Sequence, residues 1–299
     1  MKRESDIQKR EESEMGYQYI HVDEQDGVMM ITMDDPKTRN AIGEDMFEEI
    51  SKELDRLEAD PNLRCLVLTG KDPAFCSGAN VRGMAKNIQS EEDSGKKKTL
   101  PEKPWDAMAQ RLNDPAYREE EAKGIRSLPV RLHRLQKPSI AAVNGYAMGL
   151  GLGIALSCDI RFSSENANFS ETFIMRGLVP ADGSCWQLPR MIGLSNTFML
   201  QYTGDRIDPD TALRMGMISG VFPHEKMIEE TLNFAGRIAQ SPTYSLGVIK
   251  WLVHRSLQVD FEKSMDLSFT AQSISVDTFD HKEGVQAFLE KRKPQYKGK

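Results

Sequence analysis

Gly145, Gly149, Gly151 and Gly153 fall within nine positions of the stretch AAVNGYAMGLGLGIALSCDI, and no Asp, Glu, Lys, Arg or His occurs between Asn144 and Asp159. Chemistry in such a segment falls to the backbone. Glycine allows close approach of main chain to a ligand and positive φ without steric cost. A glycine-rich turn that opens a helix presents unpaired N–H groups at the positive end of the helix dipole. Such a turn suits an anion: a phosphate, or an oxyanion that develops during a reaction. Tight helix–strand packing is the plain alternative. The spacing is not that of a dinucleotide fingerprint, because Ile154 follows Gly153, and no Gly-Lys-Ser/Thr follows to make a P-loop. A second small-residue turn, FCSGAN (Phe75 to Asn80), follows another apolar run. Two such turns could aim two N–H groups at one point.

Carboxylates able to move a proton come later in the chain. Asp182, in GLVPADGS, suits a general acid or base whose pKa is raised by an apolar pocket. Its other use is as a turn or cap carboxylate bonding the N–H of Ser184 or Cys185. Glu171 is a second candidate; in extended chain from Ser170 to Phe173 it shares a face with Phe173. Cys76, Ser184 and Cys185 read as packing residues, and His133 and His254 have no motif around them. No cluster has metal-ligand spacing, and no permanently bound cofactor is expected.

The elements that must position these residues follow from apolar periodicity. GVMMITM (Gly27 to Met33) reads as a strand. A helix runs from about Gly43 to Ala59, with Met46, Phe47, Ile50, Leu54 and Leu57 at helical spacing, and Asp60-Pro61 stops it. RCLVLTG and SIAAVNG are continuous apolar runs suited to strands buried on both faces. A short helix follows the glycine cluster to near Cys158, and DIRFSS and ANFSE read as strands. The last 70 residues or so are helical, in three stretches: one begins at Pro242, one carries Phe261, Met265 and Phe269, and KEGVQAFLEKRKP is stopped by Pro294. Residues 86–124 are polar with clustered charges and three prolines. They read as a solvated insertion, or as a lid that closes Trp105, Met108 and Tyr117 over a ligand.

The chain of 299 residues carries 39 Lys and Arg against 45 Asp and Glu, a net charge of −6. That balance, without a basic motif, disfavours a nucleic-acid partner. No apolar run approaches a membrane span. The charged tail, residues 1–15, lacks the apolar region of a secretory signal. The four cysteines, with no CxxC pair, read as reduced thiols of a cytoplasmic protein.

Five segments carry a family resemblance: DDPKTRNA; LVLTGKDPAFCSGANVRGM; KPSIAAVNGYAMGLGLGIALSCDIRFSSENANFS; GLVPADGSCWQLPRMIG running on through TGDRID and MGMISGVFP; and KEGVQAFLEKRKP. In these the chain resembles the crotonase superfamily, the enoyl-CoA hydratase/isomerase group. The resemblance implies an α/β fold with a ββα-spiral core over residues 16–225 and a C-terminal α-helical region, 226–299, that packs subunits as homotrimers or pairs of trimers. It implies an acyl-CoA thioester as ligand, so coenzyme A enters as part of the substrate. It assigns the Ser77 and Leu150 N–H groups to an oxyanion hole, each such donor being worth about 3 kcal/mol in a transition state. It places Lys37, Arg39, Ser77, Ala79, Asn80 and Gly149 against coenzyme A, and Lys291 as a basic group reaching from a neighbouring subunit. Hydratases of the group use two glutamates, and those positions here are Gly153 and Phe173. Proton transfer of the isomerase kind is therefore expected before hydration, with C–C or thioester hydrolysis through Asp182, or coenzyme A binding without catalysis, as the alternatives.

Overall fold

The computed structural model describes residues 16–80, 101, 103–122 and 127–299. The 1–15 tail and most of the 86–103 half of the polar insertion lie outside the described residues.

Among the described residues nine strands form two sheets. The larger takes the order β1-β2-β3-β5-β7-β9, from β1 (Ile20–Gln25), β2 (Val28–Met33), β3 (Cys65–Gly70), β5 (Ser139–Val143), β7 (Ile160–Ser164) and β9 (Gly220–Phe222). Only β1 and β2 pair antiparallel; the rest is parallel. The smaller is a parallel sheet of order β4-β6-β8, from β4 (Ala74–Cys76), β6 (Tyr146–Met148) and β8 (Asn168–Ser170). Each small strand follows a strand of the large sheet after a short turn. The chain thus spirals from sheet to sheet before each helix.

β3 and β5 are buried along their whole length, as continuous apolar runs require. Alternate residues serve two cores. Leu66, Leu68, Ala141 and Val143 face the main core, with α1 (Glu44–Ala59), α4 (Leu128–Arg134) and the small sheet. Cys65, Val67, Ile140 and Ala142 face α8 (Met227–Ala239). Helix α5 (Leu150–Ser157) sits inside the main core with every residue from Gly151 to Ser157 buried.

The edge strand β1, with its polar IHVDEQ sequence, had no apolar signal to announce it. Helix α6 (Ser184–Thr203) breaks at Gly193, whose φ of 76° is non-helical. Helix α7 (Pro209–Met215) precedes β9. The C-terminal helices are α9 (Thr243–Ser256), α10 (Phe261–Val276) and α11 (Phe279–Leu289). The last ends five residues before Pro294, so Pro294 does not stop it. Phe261 and Phe288 are 75% and 82% exposed, so the predicted stripes face away from their own chain. In the insertion, α2 (Pro104–Leu112) and α3 (Pro115–Ala122) are helical, and Trp105 is 86% exposed.

Candidate active site

β4 and β6 are parallel neighbours, so the turns that follow them leave the same edge of the small sheet. The turns touch backbone to backbone. A Cβ placed on Gly151 would lie 2.1 Å from the Cys76 carbonyl oxygen, and one on Gly78 would lie 2.9 Å from Met148 O and 3.9 Å from the Leu150 nitrogen. Gly78 and Gly149 also hold φ of 112° and 49°, conformations that side chains resist. Packing and close approach, set out as rivals at the level of sequence, hold together at this junction.

Accounting for the amides identifies the donors. Gly149 N–H donates to Ser170 O at 2.8 Å, and the first bond internal to α5 runs from Gly153 N–H to Gly149 O at 3.0 Å. The Leu150 N–H, at the first position of the helix, has no acceptor among the described residues. On the facing turn the Ser77 N–H donates to Arg39 O at 3.0 Å, and Asn80 N–H to Ile42 O at 3.2 Å. The Ser77 amide, assigned to the oxyanion hole from the resemblance, is therefore already committed. The N–H groups of Gly78 and Ala79 have no acceptor among the described residues. The bridge between Ile42 and Ala79 uses Ile42 N–H to Gly78 O and Asn80 N–H to Ile42 O, which leaves the Ala79 N–H facing away from Ile42. The positive φ of Gly78 breaks the alternation of an extended chain, so residues 77 and 79 do not share an acceptor. The free donors on the turn that faces Leu150 are thus the Gly78 and Ala79 N–H groups, just beyond the expected Ser77.

Glu171 and Asp182 come together at the start of α6. Both are buried, at 0% and 2% exposure. Asp182 Oδ1 accepts the Ser184 N–H at 3.0 Å and the Ser184 Oγ–H at 2.7 Å, which is the turn bond foreseen for it. Glu171 Oε2 lies 3.2 Å from Ser184 Oγ, and Gln201 Nε2 donates to the same oxygen at 3.3 Å. Asp182 Oδ2 and Glu171 Oε1 have no hydrogen-bond partner among the described residues. A Cβ placed on Gly153 would lie 2.4 Å from Asp182 Oδ2. The Asp182 carboxyl therefore fills the space a side chain at 153 would take, one helical turn along α5 from the Leu150 amide. The chain turns helical at Phe173, with φ −59° and ψ −47°, so Glu171 and Phe173 do not share an extended face. Phe173 instead covers Gly149, where a Cβ would meet its ring at 3.5 Å.

Burial, together with the Asp182 charge, pushes Glu171 up to about 8 against the one Ser184 contact. Burial also raises Asp182, and its two bonds from Ser184 oppose the rise. The Cys76 thiol, deep in the core, is pushed up to about 12. Cys185 is the only exposed cysteine, and its thiol is raised by partial burial and by the two carboxyls. Neither thiol is an activated nucleophile.

The segment with Lys37 and Arg39 is stitched to this site. Ser77 Oγ donates to Thr38 O at 2.7 Å, and the buried Asn40 amide donates to Lys71 O at 2.9 Å and Ala74 O at 2.7 Å. Lys37 and Arg39 point outward from it and are exposed, as is Asn80 on the facing turn. Lys291 is exposed beyond α11, at φ 55°. His133 and His254, distant in sequence, meet with ring centroids 4.2 Å apart. Among the described residues no group of three or more His, Cys, Asp or Glu could hold a metal ion, and no helix is long and apolar enough to cross a membrane.

The sequence profile described as enoyl-CoA hydratase/isomerase matches residues 23–111 and 105–299. The chain belongs to the enoyl-CoA hydratase/isomerase family, within the crotonase superfamily. Relatives in this family include the 1,2-epoxyphenylacetyl-CoA isomerase of Escherichia coli K12, 32% identical over 91% of this chain and 96% of its own. The crotonyl-CoA hydratase of Syntrophomonas wolfei is 30% identical over 94% of this chain and 99% of its own. Among solved structures, an enoyl-CoA hydratase subunit from Geobacillus kaustophilus superposes with a TM-score of 0.79 at 30% identity, covering 95% of this chain and 99% of that one. The chain is thus an acyl-CoA-processing enzyme of the hydratase/isomerase type, with the family's α/β fold.

Proposed function

We propose that this enzyme moves a proton between carbons of an acyl-CoA thioester, with Asp182 as the acid–base group. The Ala79 and Leu150 N–H groups form the oxyanion hole for the thioester oxygen. The observation that carries this reading is the unpartnered Asp182 Oδ2 set against Gly153, one helical turn from the free Leu150 amide. The carboxylate takes a proton from a carbon next to the thioester or its vinylogue. The two amides hold the resulting enolate, and the same carboxyl returns the proton at the other end. No second carboxylate is needed to activate water, which suits a site with Gly at 153 and Phe at 173. An isomerase and several hydratases among the relatives are compatible with either outcome on the same scaffold.

Lys37 and Arg39 supply cations for the coenzyme A phosphates, with Asn80 and Gly149 along its path. Subunits pack through the exposed apolar faces of α9 to α11 as a trimer or pair of trimers, bringing Lys291 to a neighbour's nucleotide site. Expected turnover is fastest with a 3-enoyl-CoA and slow with crotonyl-CoA, followed by loss of enone absorbance. Rapid hydration of crotonyl-CoA overturns the reading. Cleavage of a β-ketoacyl-CoA that is lost in Asp182→Asn moves the assignment to hydrolysis, and tight binding of acyl-CoA with no turnover makes the protein a binding module.

A further inference from the structure

The Ser184 hydroxyl has one hydrogen and two carboxyl neighbours. It lies 2.7 Å from Asp182 Oδ1 and 3.2 Å from Glu171 Oε2. The shorter approach, in line with the Ser184 N–H bond to the same oxygen, gives that hydrogen to Asp182. If Glu171 were ionised, its Oε2 would then face only oxygen lone pairs in a site closed to water. The arrangement is satisfied when Glu171 carries a proton and donates it to Ser184 Oγ, beside the Gln201 Nε2 donor. We infer that Glu171 stays protonated at neutral pH and is a positioning residue: it donates to Ser184, which donates to Asp182 Oδ1 and so leaves Oδ2 as the one ionised, unpartnered oxygen.

The surroundings agree. Among the described residues Glu171 is faced by Asp182, by Ser184 with Gln201 behind it, and by the Cys185 thiol beyond. Gly153 of α5 adds no side chain, no cation contributes to the Glu171 shift, and Arg176, five positions on, bonds the Thr172 carbonyl at 3.4 Å. Burial is the largest influence on Glu171 and acts against its charge. The inference rests on Asp182 as the reacting carboxylate, but its test needs no turnover.

Infrared spectra of the full-length, unliganded protein at neutral pH read the C=O stretch of a protonated carboxyl. Expected is one such band at the high-frequency end of its range, because Glu171 Oε1 accepts no bond. The band disappears in Glu171→Gln and persists in Asp182→Asn and Ser184→Ala, in the latter shifted by loss of the Ser184 acceptor. Alkylation of Cys185 by iodoacetamide gives a second reading, since a charged carboxyl nearby holds the thiol up. Its rate rises about threefold or more in Asp182→Asn, equivalent to a fall of about half a pKa unit, and does not rise in Glu171→Gln. A band lost in Asp182→Asn but kept in Glu171→Gln, no band at all, or equal acceleration in both variants overturns the inference. Inactivity of the wild type on every acyl-CoA would instead remove the functional reading and leave the proton's place as measured.

Discussion

Glu53 and Glu171 are both buried glutamates, and their surroundings are opposite. Glu53, 1% exposed on α1, receives the Arg56 Nε–H at 2.8 Å and the Tyr17 hydroxyl at 2.7 Å, and Arg56 is itself shared with Glu24. Its charge is matched where it lies, and the cost appears on the partner: burial and Glu53 together push the Tyr17 phenol up to about 12. Among the described residues Glu171 has no cation partner, one hydroxyl contact and one orphan oxygen. A paired buried charge ties the N-terminal strand region to a helix. A buried carboxyl without a cation, beside a second carboxyl, favours its protonated form, the pattern expected where protons are moved.

Four substitutions test that contrast. Asp182→Asn removes the ionised member of the pair and lowers turnover by about 10²–10⁴-fold, with little change in the apparent affinity for acyl-CoA. Steady-state kinetics check it. Glu53→Ala removes the acceptor shared by Arg56 and Tyr17 and lowers the unfolding free energy by about 2–3 kcal/mol in urea titrations. Gly153→Ala forces a methyl against Asp182 Oδ2, at 2.4 Å, and costs about 1–3 kcal/mol of stability through overpacking, with activity falling alongside. Glu171→Gln has the smallest effect, and its sign depends on pH. The folded-state pKa, about 8, lies above the ordinary glutamate value of 4.5. Its stabilisation is therefore complete below the unfolded pKa and is lost as pH rises through about 8. Wild-type unfolding free energy should fall across that window relative to Glu171→Gln. The comparison breaks if Glu53→Ala is silent or if the wild type and Glu171→Gln share one pH profile.

Much of the site was legible because glycine and small residues mark where backbones must meet. The runs at Cys65–Gly70 and Ser139–Val143 and the helices α1 and α5 followed from apolar period alone. Which amide is free did not follow, because it depends on the sign of φ at Gly78 and on Arg39 O, 38 positions before Ser77. Asp182 and Glu171 were each visible as carboxylates among apolar neighbours. Their junction through Ser184 was not, since the sequence hides the turn at Phe173 that parts Glu171 from the face it was expected to share. Nor could period show that the carboxyl at 182 lies in the place of a side chain at 153, a contact between residues 29 positions apart.

The helix that begins at Leu150 is enclosed on every side from Gly151 onward, and this has a kinetic corollary. Its first amide cannot swing to greet an incoming oxygen; the dipole was aimed when the chain folded. On the proposed reading the thioester aligns with a fixed field, and little reorganisation energy remains to be supplied as negative charge gathers on the carbonyl.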